Sequence, residues 1–174
     1  ALKKLQKGQA DVITSLMKNE DRSRYLIFTS PYISVPAVII VKHENRETLS
    51  PDKLKGYRVA VGKGYGVESY LRAKYPRLRL VPVDNEVTGL KMLSFSEVDA
   101  IVADTASASY IIDRYKITNL RIAGDSGFSY DLSFASRRDL PILNGILEKG
   151  LSAISPAERE AIYSRWVRFA QPVP

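Results

Sequence analysis

The sequence predicts an α/β fold with two lobes, in which the second lobe is an insert within the first. Apolar strands alternate with short helices across residues 43–124, and this alternation is typical of a parallel sheet wrapped by helices. We therefore assign residues 1–42 and 125–174 to lobe 1 and residues 43–124 to lobe 2. Two strand crossings, near Val38–Lys42 and near Ile122–Gly127, would join the lobes. Two crossings form a hinge, and a cleft is expected between the lobes.

The composition argues against several classes of function. The chain has 174 residues, no cysteine and one histidine, which excludes a disulfide framework and a thiolate metal site. No GxSxG or HExxH signature occurs, so we expect no catalytic residues, no cofactor and no metal. The net charge of +7 comes from small scattered groups of basic residues, which argues against a nucleic-acid partner. No apolar run is long enough to cross a membrane.

Lobe 1 opens with a short helical stretch, LKKLQK, that no N-cap residue precedes. A helix of one turn would hardly form alone, so we expect further residues of the lobe upstream of Ala1. Strands are predicted at Asp11–Ile13, Tyr25–Thr29 and Ile33–Lys42, where β-branched and aromatic residues are enriched. The polar residues between the first two strands are predicted to form a loop.

That loop contains the first candidate site. Thr14 and Ser15 follow a strand, and Arg22 lies shortly before the next strand. A strand that ends in hydroxyls and an arginine is a common anion site, because a guanidinium can bind a carboxylate through two parallel hydrogen bonds. The alternative is a surface arginine that pairs with Glu20 or Asp21.

Lobe 2 contains strands at Tyr57–Val61, Leu78–Val83 and Asp99–Ala103. Asp104 follows the last of these strands at its carboxyl end, where open α/β sheets bind ligands. The same aspartate could serve only as the N-cap of the helix that begins at Thr105, and it could also do both.

A glycine-rich turn, Gly62–Gly66, lies between a strand and a helix of lobe 2. Its amides, including that of Gly64, could hold an anion at the helix N-terminus, or the turn could be only a tight connection. Tyr65 in this turn and Tyr32 in lobe 1 could stack on a ligand or close the cleft. A lone tyrosine more often packs at the end of a strand or helix.

The remaining elements belong to the second piece of lobe 1. Strands are predicted at Leu120–Ala123 and Tyr130–Ala135, separated by the glycines of Gly124–Gly127. A serine cap, a proline and a glutamate three residues on predict a helix over Pro156–Phe169, with Ile162 toward the core. The preceding helix shows an apolar face at helical spacing, which is predicted to be core: Leu143, Ile146, Leu147, Leu151 and Ile154.

Several short motifs, in a fixed order, resemble those of bacterial extracellular solute-binding proteins of family 3. They are ALKKLQKGQADVI, NEDR, FTSPY, LKGYRVAVGKG, EVDAIVAD and the terminal YSRWV. The resemblance covers essentially the whole chain and implies the type II periplasmic-binding-protein fold, the two-lobed Venus flytrap. It also implies that the first strands of lobe 1 precede Ala1, so that this lobe is incomplete at its N-terminus.

The resemblance implies a binding site for an amino acid or a similar small carboxylate. In amino-acid-binding members, the arginine of a T-x-x-R motif holds the ligand α-carboxylate; this position matches Arg22, with Asn19 in place of the threonine. The acidic residue that binds the α-ammonium matches Asp104. Contacts after the preceding strand match Thr14 and Ser15. The small polar residue of the second-lobe turn, commonly threonine, is matched by Tyr65, next to Gly64.

The C-terminal half resembles the flytrap sensor domains of membrane histidine kinases more than transporter components. NLRIAGDSG, LSFASRRDL and the ISPAE helix start carry this likeness. It implies a sensor domain on the periplasmic or extracellular side of a bacterial membrane, joined to signalling domains of the same polypeptide, with a dimer left open. Hinge closure on the ligand would be the signal. The alternatives are the substrate-binding component of an amino-acid ABC transporter and the non-catalytic flytrap module of a cell-wall lytic enzyme.

Overall fold

A computed structural model describes residues 2–166, with the side chain of Trp166 left out. The chain divides into two compact units, each described here by itself. Unit 1 contains residues 2–35 and 130–164, and unit 2 contains residues 36–129. The assignment of residues to lobes 1 and 2 remains a prediction. The last predicted helix is observed from Pro156, and its predicted end at Phe169 lies outside the described residues.

Unit 1 is a small antiparallel arrangement covered by helices. Strand β1 pairs with the end of β7, and β2 pairs with the same stretch of β7, so β7 lies between them. A small core of Leu5, Leu16, Leu26 and Ala135 packs beneath these strands. The elements are α1 (Leu2–Gln6), β1 (Val12–Met17), α2 (Glu20–Ser23), β2 (Leu26–Phe28), α6 (Pro141–Ser152) and α7 (Pro156–Trp166), with the start of β3 (Ile33–Lys42) and the end of β7 (Leu120–Arg137).

Unit 2 is the α/β part of the chain, and three of its strands form the predicted parallel arrangement. Strand β4 lies between β5 and β6, both parallel to it, and β3 pairs antiparallel with β6. Fully buried Leu90, Leu93 and Ile101 fill the core between sheet and helices. The elements are a short 3₁₀ turn (Pro51–Leu54), β4 (Arg58–Gly62), α3 (Gly66–Lys74), β5 (Arg79–Val83), α4 (Glu86–Ser94), β6 (Ala100–Asp104) and α5 (Thr105–Tyr115).

Two predictions about strands are wrong. Thr14 and Ser15 do not form a loop, because β1 continues through them to Met17 with a register shift between Ile13 and Leu16. The strands predicted on either side of Gly124–Gly127 are one continuous strand, β7. Glycines interrupt a sequence pattern, but they do not interrupt a strand whose two ends are paired with neighbours.

The apolar residues predicted as core on α6 are only half-buried, and one of them is exposed. Ile146 is 61% exposed, and Asn144 is the buried residue of this helix. Ile162 of α7 is 54% exposed, so its predicted place in the core is also wrong. Helical spacing identifies an apolar face, but it does not say what covers that face.

The predicted start of α7 is confirmed as a capping box. The Ser155 hydroxyl and backbone amide both lie against the Glu158 carboxylate, at 2.7 and 2.8 Å. The Glu158 amide donates back to the Ser155 hydroxyl at 3.3 Å. These contacts lower the pKa of Glu158, because hydrogen bonds from Ser155 favour the ionised carboxylate.

Arg159 of α7 binds backbone carbonyls of other segments of unit 1, and its replacement tests how α7 packs there. Its guanidinium donates to the carbonyls of Ile154, Leu151 and Tyr32, the last at 3.2 Å. Arg159→Ala should lower the free energy of unfolding by about 2 kcal/mol, because it leaves these carbonyls without their donor. Urea unfolding measures the loss.

The exposed Arg24, whose ion pair with Asp21 spans 3.9 Å, provides the control, and Arg24→Ala should change stability by less than about 0.5 kcal/mol. Equal effects of the two variants would contradict the prediction.

Candidate functional site

The candidate site residues of unit 2 gather at one edge of the parallel sheet. Strands β5 and β6 run parallel to β4 on its two sides, so the carboxyl ends of all three strands meet at the same edge. Tyr65 follows β4, Glu86 follows β5, and Asp104 ends β6. This is the edge at which open α/β sheets bind ligands.

Asp104 is the N-cap of α5, as one of the two predicted roles requires. Its Oδ1 accepts a hydrogen bond of 2.7 Å from the Ser107 backbone amide. The residue is half-buried. Capping uses one oxygen and leaves the other for further partners. The ligand contact predicted for Asp104 remains a prediction.

Glu86 is a site residue that sequence reasoning missed. It is the first residue of α4 and is only 7% exposed. Burial, followed by the negative charge of Asp104, raises the pKa of Glu86 to about 8. A strand–helix pattern alone cannot show that the residue after β5 and the residue after β6 lie at the same edge of the sheet near each other, because the order of strands in the sheet decides it.

The glycine turn binds a carboxylate of the chain itself, that of Glu68. Gly64 adopts a φ of 75°, and its amide donates to the Glu68 carboxylate at 2.6 Å. The other oxygen of Glu68 accepts from Arg72 at 2.8 and 3.0 Å. The Gly64 amide, followed by Arg72, lowers the pKa of Glu68. The anion that this turn could bind is therefore, within unit 2, the side chain of Glu68.

Tyr65 closes the turn by folding over a glycine. A Cβ atom on Gly62 would lie 2.6 Å from Cδ2 of the Tyr65 ring, so the ring occupies the space that Gly62 leaves open. Burial, followed by the charges of Glu86 and Asp104, raises the pKa of the Tyr65 hydroxyl. Tyr65, Glu86 and Asp104 therefore form one electrostatically connected group, which we call the acidic cluster.

Three of the candidate residues of unit 1 are in contact, because Tyr32 binds both Thr14 and Ser15. Its hydroxyl donates to the Thr14 carbonyl at 2.9 Å and lies 2.8 Å from the Ser15 hydroxyl. The Tyr32 ring is held against Phe134, with ring centroids 5.1 Å apart. Thr14 and Ser15 are both exposed, although neighbours in a strand normally face opposite sides. The register shift in β1 explains this exception, since a bulge re-aims a side chain.

Arg22 lies in the short helix α2, and its guanidinium is fixed by a backbone contact. Nη1 donates to the Met17 carbonyl at 2.7 Å. Within the described part of the chain, Arg22 forms no ion pair with Glu20 or Asp21; Asp21 pairs with Arg24 instead. Asn19, which replaces the threonine of the family motif, caps α2 by accepting from the Arg22 amide at 2.9 Å. Asparagine thus performs the N-cap role at this position, and the half-buried guanidinium keeps unused donors.

The structure thus places the predicted site residues in two sets. Thr14, Ser15 and Tyr32 are in direct contact within unit 1, where Arg22 is also held, while Gly64, Tyr65 and Asp104 lie in unit 2. Across residues 2–166, no cluster of three or more His, Cys, Asp or Glu side chains is suited to hold a metal ion. None of the helices described is both long and apolar enough to span a membrane.

Comparison with known proteins gives sensor proteins as relatives. The chain is 32% identical over 164 residues to the virulence sensor protein BvgS of Bordetella pertussis, covering 94% of this chain and 13% of that protein. It is 31% identical over 170 residues to the sensor protein EvgS of Escherichia coli strain K12, covering 95% of this chain and 14% of that protein. A further relative is the ABC transporter arginine-binding protein 1 of the same strain, at 26% identity over 82% of this chain and 59% of that protein.

A solved structure of the periplasmic VFT2 domain of Bordetella pertussis BvgS has the same fold. The two superpose with a TM-score of 0.83 and 32% identity, covering 95% of this chain and 71% of the solved one. The predicted α/β fold of the Venus flytrap, periplasmic-binding-protein-like type is thereby confirmed. The model of the bacterial extracellular solute-binding proteins, family 3, matches residues 1–169. The chain belongs to this family of bacterial extracellular solute-binding proteins.

Proposed function

We propose that the chain is the ligand-binding part of a sensor domain of the histidine kinase type, and that its ligand is an amino acid or a similar small carboxylate. As a member of an extracellular family, it acts on the periplasmic or extracellular side of the bacterial membrane. The observation that carries the proposal is the pair of opposite charges at the two sets of site residues. Arg22 in unit 1 has guanidinium donors free of acidic neighbours, and Asp104 in unit 2 has a carboxylate oxygen free of its capping bond.

Such charges suit a zwitterion. A guanidinium binds a carboxylate through charge-assisted hydrogen bonds, and a carboxylate binds an ammonium group in the same way. The exposed hydroxyls of Thr14 and Ser15, with Tyr32 behind them, supply further polar contacts for the carboxylate end. Gly64 is assigned a structural role in this proposal, because Glu68 already uses its amide.

The proposed mechanism is closure of lobe 1 and lobe 2 on the ligand. Closure can transmit a signal only if the ligand binds the closed form better than the open form. Signalling domains of the same polypeptide, in a monomer or a dimer, would receive that signal. The similarity to sensor proteins over 94% of this chain supports the sensor assignment.

The substrate-binding component of an amino-acid ABC transporter is the second candidate. It is favoured by the similarity to an arginine-binding protein over 82% of this chain. Both candidates require the same binding chemistry, so ligand binding does not separate them. The gene sequence beyond residue 174 does, because a sensor continues into a membrane helix and a kinase.

A thermal-shift panel tests the ligand class. The protein that contains this chain is purified free of ligand and heated with each amino acid and a set of dicarboxylates. At 100 times its dissociation constant, a ligand adds about 2.7 kcal/mol of stability, which raises the melting temperature by roughly 5 °C or more. Arg22→Ala and Asp104→Asn should each abolish the shift. Arg24→Ala, a neighbouring exposed arginine, should preserve it. A panel without any shift would exclude the zwitterion.

A further inference from the structure

The basic residues of unit 2 include a group that the proposed function does not use. Lys55, Lys74 and Arg77 line a cavity of about 300 Å³, which we call the basic cavity. Lys55 lies before β4 and Arg77 lies before β5, so the cavity is at the amino ends of these two parallel strands. The acidic cluster lies at the opposite edge of the sheet. Each of the two strands has five residues, which places roughly 16 Å between the two edges.

The three cations of the basic cavity come from separate segments of unit 2. Lys55 follows the 3₁₀ turn, Lys74 ends α3, and Arg77 lies in the turn before β5. The negative end of the α3 dipole accounts for a cation at Lys74, but it does not account for the other two, which lie outside the helix. Like charges that the fold brings to one cavity repel each other, and a bound anion relieves that repulsion.

The charges of the basic cavity are not neutralised by carboxylates of the described residues. The ion pairs observed in that part of the chain all use other lysines and arginines. Asp52 also lines the cavity, but no ion pair joins it to a cation within residues 2–166. The three cations and the one carboxylate of the lining leave a net charge of +2. A ligand that carries negative charge would therefore complete the cavity.

Lys74 is held in place by aromatic side chains. Its Nζ donates to the Tyr70 hydroxyl at 3.2 Å and lies 5.4 Å and 5.8 Å from the ring centroids of Tyr70 and Tyr75. Tyr70 packs in turn on Phe128, with ring centroids 5.3 Å apart. The ammonium group has three donors, of which Tyr70 takes one. A cation fixed in this way loses less side-chain freedom when it binds an anion, and this favours binding.

We propose that the basic cavity binds a phosphate group, either free or as a monoester. A phosphate monoester carries about −1.5 to −2 charges at pH 7 and has three acceptor oxygens, so it matches three cations better than a carboxylate does. The Arg77 guanidinium can bind two of these oxygens at once. Pro51, Pro76 and Tyr75 form an apolar part of the lining, against which the organic part of an ester packs. The monoester belongs either to a soluble compound or to the head group of a phospholipid.

Phosphorus NMR tests the basic cavity with inorganic phosphate and glycerol 3-phosphate as soluble probes. The protein that contains this chain is titrated with each probe, and the probe signal should shift and broaden to saturation. Lys74→Gln combined with Arg77→Gln should weaken binding by about tenfold, and Lys55→Gln alone by about threefold. The matched control combines Lys3→Gln with Lys4→Gln, which removes the same charge from exposed positions of α1. This control should keep the affinity within about twofold.

Vesicles separate the two sources of phosphate. The same proteins are sedimented with vesicles of phosphatidic acid and phosphatidylcholine in equal parts, and with vesicles of phosphatidylcholine alone. Binding of the soluble probes without phosphatidic acid vesicles supports a soluble monoester, and binding of those vesicles alone supports a phospholipid head group. The proposal is overturned if neither binds, or if the Lys74 and Arg77 double variant binds as well as the wild type. Should that variant fail to fold by circular dichroism, Lys55→Gln decides in its place. Arg22→Ala should leave phosphate binding unchanged, so this test is independent of the proposed function.

Discussion

Gly124→Ala is expected to destabilise unit 2 by about 3 kcal/mol or more. The added Cβ atom would lie 1.8 Å from the Leu49 carbonyl oxygen and 3.0 Å from the Leu49 carbonyl carbon. Both are backbone atoms, so no side-chain rotation can relieve the contact. The two segments are already held together, because the Leu49 amide donates to the Ala123 carbonyl at 2.8 Å. One of these backbones must therefore move, and β7 loses part of its pairing.

Urea unfolding followed by circular dichroism measures this loss. Gly145→Ala is the control, because a Cβ atom at Gly145 meets no atom within 4 Å and the residue lies inside helix α6. Adding the methyl group there should stabilise the protein by up to about 1 kcal/mol, since alanine is the better helix former. An unchanged midpoint for Gly124→Ala would show that β7 does not approach Leu49 so closely. If Gly124→Ala is not recovered folded, the approach is supported, provided that Gly145→Ala folds.

Leu90→Ala should cost about 3 kcal/mol of unfolding free energy. Leu90 is fully buried in α4 and belongs to the core cluster that includes Val83, Leu93 and Ile101. Truncation removes buried methyl groups and leaves a cavity that the sheet behind α4 cannot fill. The same urea titration measures the change.

Ile142→Ala is the matched control, since it also shortens an aliphatic side chain on a helix. Ile142 is 79% exposed, so its truncation should alter stability by less than about 0.5 kcal/mol. Similar midpoints for the Leu90 and Ile142 variants would mean that α4 does not pack on the sheet as described.

The elements of unit 2 could be predicted from the sequence because each one carries a local signal. Helix α5 has an N-cap aspartate, β6 is a short apolar run, and the capping box of α7 in unit 1 reads directly from Ser155 and Glu158. The prediction that Asp104 begins a helix at the carboxyl end of a strand is therefore confirmed. Its contact with a ligand is not a local property and remains a prediction.

The missed features depend on residues that are distant in sequence. Glu86 and Asp104 lie at the same edge of the sheet because β5 and β6 both run parallel to β4, and no residue near Glu86 encodes that order. Thr14 and Ser15 are both exposed at a register shift that pairing with β7 gives to β1. The Glu68 carboxylate accepts a hydrogen bond from the Gly64 amide four residues earlier, and this contact can be recognised only once the path of the turn is known. Ile146 and Ile162 show the opposite case, in which a clear local pattern does not reveal whether a face is covered.

The bulge in β1 makes this part of the molecule sensitive to chain length rather than to side-chain identity. Tyr32 binds the carbonyl of Thr14, which every amino acid possesses, so Thr14→Val leaves that hydrogen bond available. Deleting Thr14 or Ser15 removes the extra residue, so that Leu16 can stay opposite Ser133 while the strand returns to strict alternation. A single-residue deletion would therefore keep the strand paired but remove the two neighbouring exposed residues that Tyr32 contacts, whereas a substitution keeps the bulge. The number of residues between the paired positions Ile13 and Leu16 therefore determines the local shape of this half of the site.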